Sequence, residues 1–127
     1  MRSSVARTSE KESPSFSWRE RQLNRLKEKD VWKRYLVLPR RPMDLDYRYE
    51  VTVGSKRIDV VGENKNKVEL FEIKRRADRV ALGQILEYGS LYRKEVNPPK
   101  PIYLNVVAES SDKDIPWKKY SVRTFSV

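Results

Sequence analysis

Between residues 46 and 74 three runs alternate apolar and polar residues, each separated from the next by residues that favour a tight turn. Residues 46–53 (DYRYEVTV) are rich in aromatic and β-branched side chains, which suit a pleated strand. Gly54-Ser55 is a Gly-X hairpin signal, because glycine supplies the positive φ that such a turn needs. Residues 56–61 return, residues 62–66 (GENKN) turn again, and residues 67–74 form a third strand. The pattern predicts an antiparallel meander with Asp59 on its middle strand. Glu72 and Lys74 stand two apart on the third strand and therefore share a face. Charged groups at the ends of apolar strands are costly unless paired, hydrated or bound to a cation. If the two strands are neighbours, two acids and a lysine converge on one spot, an arrangement suited to divalent-metal phosphodiester chemistry.

The flanks complete an α/β pattern. Residues 1–16 are rich in Ser, Arg and Lys and read as a mobile basic tail, leaving residues 17–127 as one domain. Ser17 and Glu20 have the spacing of a capping box at the start of a helix. Trp18, Leu23, Leu26 and Val31 form a partial apolar stripe along it, to about Tyr35. Pro39-Arg40-Arg41-Pro42 ends it in a basic loop, where Lys33, Arg34, Arg40 and Arg41 form the densest positive cluster. Residues 77–95 predict a second helix, in which Gly83 and Gly89 each cost ~1 kcal/mol against Ala. Close packing on the sheet is the expected compensation. Residues 102–108 (IYLNVVA) are a near-continuous apolar run, as in a buried strand. Strand, helix and buried strand in succession predict a right-handed crossover to a parallel neighbour. Residues 116–120 predict a helical turn and residues 121–127 an edge strand.

Composition narrows the chemistry. Twenty-eight Lys and Arg against 18 Asp and Glu give a net charge of +10, which favours a polyanionic partner, nucleic acid above all. The chain has no cysteine, which removes disulfides and thiolate metal sites and fits an intracellular, unsecreted protein. It also has no histidine, so any metal ligand must be a carboxylate or another oxygen, as Mg²⁺ or Mn²⁺ prefers. No apolar run approaches the ~20 residues of a membrane span.

Asp59, Glu72-Ile73-Lys74 and Gln84-Ile85-Leu86-Glu87-Tyr88, in that order and on those elements, resemble the PD-(D/E)XK nuclease superfamily. The Gln84/Tyr88 pair matches the QxxxY helix of RecB-like and NucS-like members. The stretch RIDVVGENKNKVELFEIKRRADRVALGQILEY is similar to NucS-type endonuclease catalytic domains. The resemblance covers residues 18–108, and Ile58 stands where the family name has its proline. It implies a restriction-endonuclease-like αβββαβ core with a central mixed sheet of four or five strands and flanking helices. It implies a metal-dependent DNA endonuclease of low sequence specificity for structured, branched or single-stranded DNA. In that reading Asp59, Glu72 and the Ile73 carbonyl hold Mg²⁺ or Mn²⁺, Lys74 orients the attacking water, and Gln84 and Tyr88 support them. Glu20 is the first choice for a further acid from the first helix, with Glu28 next and Glu50 a third option. Arg40, Arg41, Arg57, Arg75 and Arg76 are the expected phosphate contacts.

Other readings stay open at this point. Asp59 with Lys74, and Glu72 with Arg57 or Arg75, can be structural ion pairs. Tyr47, Tyr49 and Tyr92 can pack rather than stack on bases. The chain can be an inactive nucleic-acid-binding domain of the same fold or a basic assembly protein. It can also be a homodimer through Trp18, Trp32, Trp117 or Phe125.

Overall fold

In the computed structural model, which describes residues 18–39, 41 and 44–127, a helix leads into a meander of three antiparallel strands. The helix is α1 (Trp18–Leu36), and the strands are β1 (Asp46–Val53), β2 (Lys56–Glu63) and β3 (Val68–Ile73). A two-residue strand β4 (Arg76–Ala77) precedes helix α2 (Arg79–Glu95). Then come β5 (Ile102–Ala108), the short β6 (Ser110–Ser111), a 3₁₀ turn (Trp117–Tyr120) and β7 (Val122–Ser126). The main sheet is ordered β1-β2-β3-β5-β7; β5 runs parallel to β3, and β7 parallel to β5 at the edge. This is the mixed α/β architecture expected from the sequence, with five strands and a helix on either face.

Each helix closes one apolar core. On one face Ala81, Ile85, Tyr88 and Tyr92 of α2 pack on Ile58, Val61, Leu70 and Val106. On the other, Val31, Trp32 and Tyr35 of α1 pack on Val60, Phe71, Ile73 and Val107. The second core is largely aromatic: Trp32 stacks on Tyr35 at 5.0 Å and meets Phe71 edge-on at 5.3 Å. Phe125 reaches the same cluster, 5.1 Å from Tyr35. Trp32 is thus buried in this core, and Phe125 is half-buried against it. Trp117 packs on the first core, and its Nε1 donates to the Asp112 carbonyl at 3.1 Å.

Several sequence expectations need correcting. Leu23 and Leu26 remain 49% and 60% exposed, whereas Val31, Trp32 and Tyr35 in the later turns of α1 are packed. The second helix starts at Arg79, because Asp78 caps it by accepting from the Ala81 N–H at 3.0 Å. Ala77 is instead drawn into β4, which pairs with β6; two-residue strands are too short to show any periodicity. Below the aromatic cluster lies a buried carboxylate, Glu69, fully enclosed; it accepts from Asn105 Nδ2 at 2.9 Å and from Arg123 Nη2.

The helix glycines also differ from each other. A β-carbon at Gly89 would come within 2.9 Å of Leu104, so the close approach of α2 to β5 needs glycine there. Gly83 is exposed and has nothing within 4 Å of its place for a β-carbon, so no packing offsets its propensity cost. Gly83→Ala is therefore expected to stabilise the protein by about 0.5–1 kcal/mol. Urea unfolding that shows no gain, or a loss, would contradict this.

Candidate active site

The site begins where the sheet comes apart. The β2–β3 ladder runs from Glu63–Val68 to Val60–Phe71 and stops there. On the other side of β2, Tyr49–Val60 and Val51–Ile58 are paired, but Glu50 and Asp59 between them are not. Glu50 has a positive φ of 52°, in the left-handed region, which turns its backbone out of the ladder. Beyond the last β2–β3 pair, the Asp59 carboxylate takes the place of a strand carbonyl: Oδ2 accepts from the Ile73 N–H at 2.8 Å. A side chain thus satisfies the backbone where the two strands part.

Glu72 is buried, at 3% exposed, and faces Asp59. Its Oε2 lies 3.4 Å from Lys74 Nζ, while its Oε1 is enclosed with no hydrogen-bond partner among the described residues. Burial first, and then the neighbouring Asp59 charge, push the Glu72 pKa up to about 8, with Lys74 opposing. Burial raises Asp59 as well, against the Ile73 N–H, the Glu72 hydrogen bond, Lys74 and Arg57. From α2, Tyr88 faces the pair; burial and then the charges of Glu72 and Asp59 keep its phenol protonated far above neutrality. Gln84, one turn earlier, has its Oε1 buried without a partner among the described residues.

The first helix brings Glu28 to this spot. Burial and then the Asp59 charge raise its pKa, while Lys74 and Arg25 lower it, so it senses Asp59 and Lys74. Glu20 lies in α1 eight residues earlier, about 12 Å along the axis, and its side chain is outside the described residues. The E-x-x-L-x-x-L spacing of Glu20 with Leu23 and Leu26 drew attention to Glu20; helical spacing from the buried Val31 and Trp32 favours Glu28. Glu50 sits at the rim, 3.5 Å from Arg57.

Not every arginine singled out in the sequence faces this site. Arg57 does, and with Arg25, Lys29 and Lys33 it lines a cleft of about 410 Å³ that opens on Asp59. Arg75 reaches Glu109 at 3.4 Å, and Arg76 binds Asp112 at 2.7 Å, so acids after β5 hold the two that follow Lys74. Arg41 donates from Nε to the Leu36 carbonyl at 2.6 Å and closes the end of α1. Arg40 is outside the described residues. The ion pairs suggested by sequence are likewise repartnered: Lys74 goes to Glu72, Arg57 to Glu50 and Arg75 to Glu109.

The donors suit a hard divalent ion. Two carboxylates are pressed together out of water, with one oxygen unpartnered and both pKa values raised, which is the state a cation relieves. Among the described residues no three acidic side chains stand close enough to hold an ion by themselves. The remaining ligands must come from backbone, water or a phosphate, as Mg²⁺ commonly accepts.

Known structures share this architecture. The chain is similar to a repair endonuclease from Pyrococcus abyssi, with a TM-score of 0.58 and 20% identity over 92% of this chain and 49% of that one. It is also similar to EndoMS in an EndoMS–dsDNA2 complex, with a TM-score of 0.60 and 17% identity over 97% of this chain and 49% of that one. At such identity the likeness is one of fold, and the chain spans about half the length of each. No protein-family model matches it, and no curated protein does. Among the described residues no helix is long and apolar enough to cross a membrane.

The raised carboxyl predicts a pH dependence. Between the ordinary 4.5 and about 8, folded Glu72 keeps a proton that the unfolded chain has released. Stability therefore falls as pH rises through that window. In chelator, Glu72→Gln is expected to melt several degrees above the parent at pH 9, with the gap closing at pH 4. A gap that does not change with pH would contradict this assignment.

Proposed function

We propose that the chain is a metal-dependent nuclease that hydrolyses phosphodiester bonds in DNA. It acts as an endonuclease of low sequence specificity on structured, branched or single-stranded substrates. The observation that carries this reading is the buried Asp59–Glu72 pair, with one oxygen unpartnered among the described residues, Lys74 beside Glu72 and a cation-lined cleft opening on Asp59. A purely structural role leaves two desolvated acids facing each other, with Lys74 and, for Asp59, Arg57 as the opposing cations, an arrangement that costs stability above neutral pH. The shared fold with repair endonucleases, one of them in a complex with DNA, supports the same reading.

Asp59, Glu72 and the Ile73 carbonyl would hold Mg²⁺ or Mn²⁺, with Glu28 close by. When bound, such an ion polarises the phosphate and acidifies a neighbouring water. Lys74, steadied by Glu72, orients the attacking water and offsets the charge that builds on the phosphoryl oxygens. Tyr88, protonated at working pH, and Gln84 fix the Glu72 side of the site from α2. Arg25, Lys29, Lys33 and Arg57 draw the phosphate backbone into the cleft. Contacts to phosphates are common to every sequence, so low sequence specificity follows.

Supercoiled, single-stranded and branched DNA incubated with and without Mn²⁺ tests the proposal. Cleavage should require the metal, disappear in Asp59→Ala and Glu72→Ala, and fall about 10²–10³-fold in Lys74→Met. DNA binding in chelator should survive in all three. Metal-independent cleavage, or binding with no cleavage under any condition, would overturn it.

A further inference from the structure

We infer that Tyr49 is a base-stacking residue, which makes the cleft select DNA with an unpaired nucleotide next to the phosphate held at Asp59. The inference rests on the nuclease reading for the position of that phosphate. Tyr47 and Tyr49 are two apart on β1 and so share a face, yet their surroundings differ. Tyr47 is half-buried, 5.3 Å from Trp32 and 6.1 Å from Phe71. Tyr49 is 54% exposed and lines the same cleft as Asp59.

The Tyr49 ring is exposed but held. Its hydroxyl accepts from Trp32 Nε1 at 3.3 Å, and it stands edge-on to the indole at 6.2 Å and 82°. A ring fixed at its edge and hydroxyl, with more than half its surface bare, is already oriented to receive a flat partner. Its setting is that of a nucleotide site. Arg25, Lys29 and Lys33 recur every four residues along one side of α1, so they form a row. Arg57 closes the rim from β2, and Val60 and Ile73 supply apolar wall. About 410 Å³ leaves room for a single base with its phosphate.

A base inside a duplex is covered on both faces by its neighbours and cannot reach a ring within a cleft; an unpaired base can. Stacking on an aromatic side chain is sequence-tolerant, because every base presents a π-face. Tyr49 therefore adds discrimination by strand state without adding discrimination by sequence.

The test is equilibrium binding in EDTA, where hydrolysis plays no part. The probes are a mixed-sequence oligodeoxynucleotide duplex, the same duplex with one unpaired 2-aminopurine, and that duplex with an abasic site in place of the unpaired base. The parent protein should prefer the unpaired base over the other two and quench its fluorescence. Tyr49→Ala should lose about 5- to 150-fold in affinity for that probe alone. Tyr49→Phe, which keeps the ring without the hydroxyl, should retain the preference and the quenching. Equal weakening on all three probes, no weakening, or loss of preference in Tyr49→Phe would overturn the inference. If preference and quenching persist but no DNA is ever cleaved with Mn²⁺, the nuclease reading fails and the stacking role stands. Cleavage with no preference sinks only the stacking role.

Discussion

Two carboxyl groups held against each other out of water are the constraint on which this site depends. Asp59 reaches that position because β2 and β3 separate beyond Val60–Phe71, and its carboxylate accepts the Ile73 N–H that a strand carbonyl would otherwise take. Glu72 arrives from the neighbouring strand with one oxygen near Lys74 and the other unpartnered. Burial raises both carboxyls and the Asp59 charge raises Glu72 further, so the arrangement is destabilising at neutral pH in the absence of a counter-charge. The two apolar cores, one on each face of the sheet, provide the stability that lets such a pair persist.

Among the described residues, few groups dock the helix that brings Glu28 and a row of cations to the cleft. Leu23 and Leu26 stay exposed, while Val31, Trp32 and Tyr35 pack on the sheet. Arg34 adds a polar anchor: it reaches Glu109 at 2.6 Å, the Val127 carbonyl at 3.1 Å and Asp30 at 3.1 Å. An exposed ion pair is ordinarily worth ~1 kcal/mol or less, but a planar guanidinium with three acceptors also sets an orientation. Glu109 holds Arg75 too, so one carboxylate links α1 to the segment immediately after Lys74. The placement of α1 and that of Lys74 are thereby coupled through residues that do not face the cleft.

The strands, the second helix and the crossover were legible in the sequence because each depends on local signals. Alternation, a glycine turn and an apolar run of strand length marked β1, β2, β3 and β5, and β5 spans residues 102–108 as read. The convergence of Asp59, Glu72 and Lys74 followed from those strands, since the meander and the two-residue period leave few ways to arrange them. The acid from α1 was not legible, because helical repetition places several glutamates at plausible positions and only docking selects Glu28. Nor was the role of the arginines, since Arg41, Arg75 and Arg76 find partners that are near in space and, for the last two, distant in the chain.

Glu69 and Tyr49 mark the same boundary from opposite sides. One is a charged residue that the fold encloses completely beneath Arg123 and Asn105; the other is an aromatic residue that it leaves more than half exposed. By itself the sequence determined a basic chain without histidine or cysteine, a meander carrying two acids and a lysine, and a parallel crossover behind it. Only the tertiary structure decided that Glu28 comes near Asp59, which cations line the cleft and which ring stays bare. Periodicity and turn chemistry act between near neighbours in the chain, whereas burial and charge pairing depend on where the other elements come to rest.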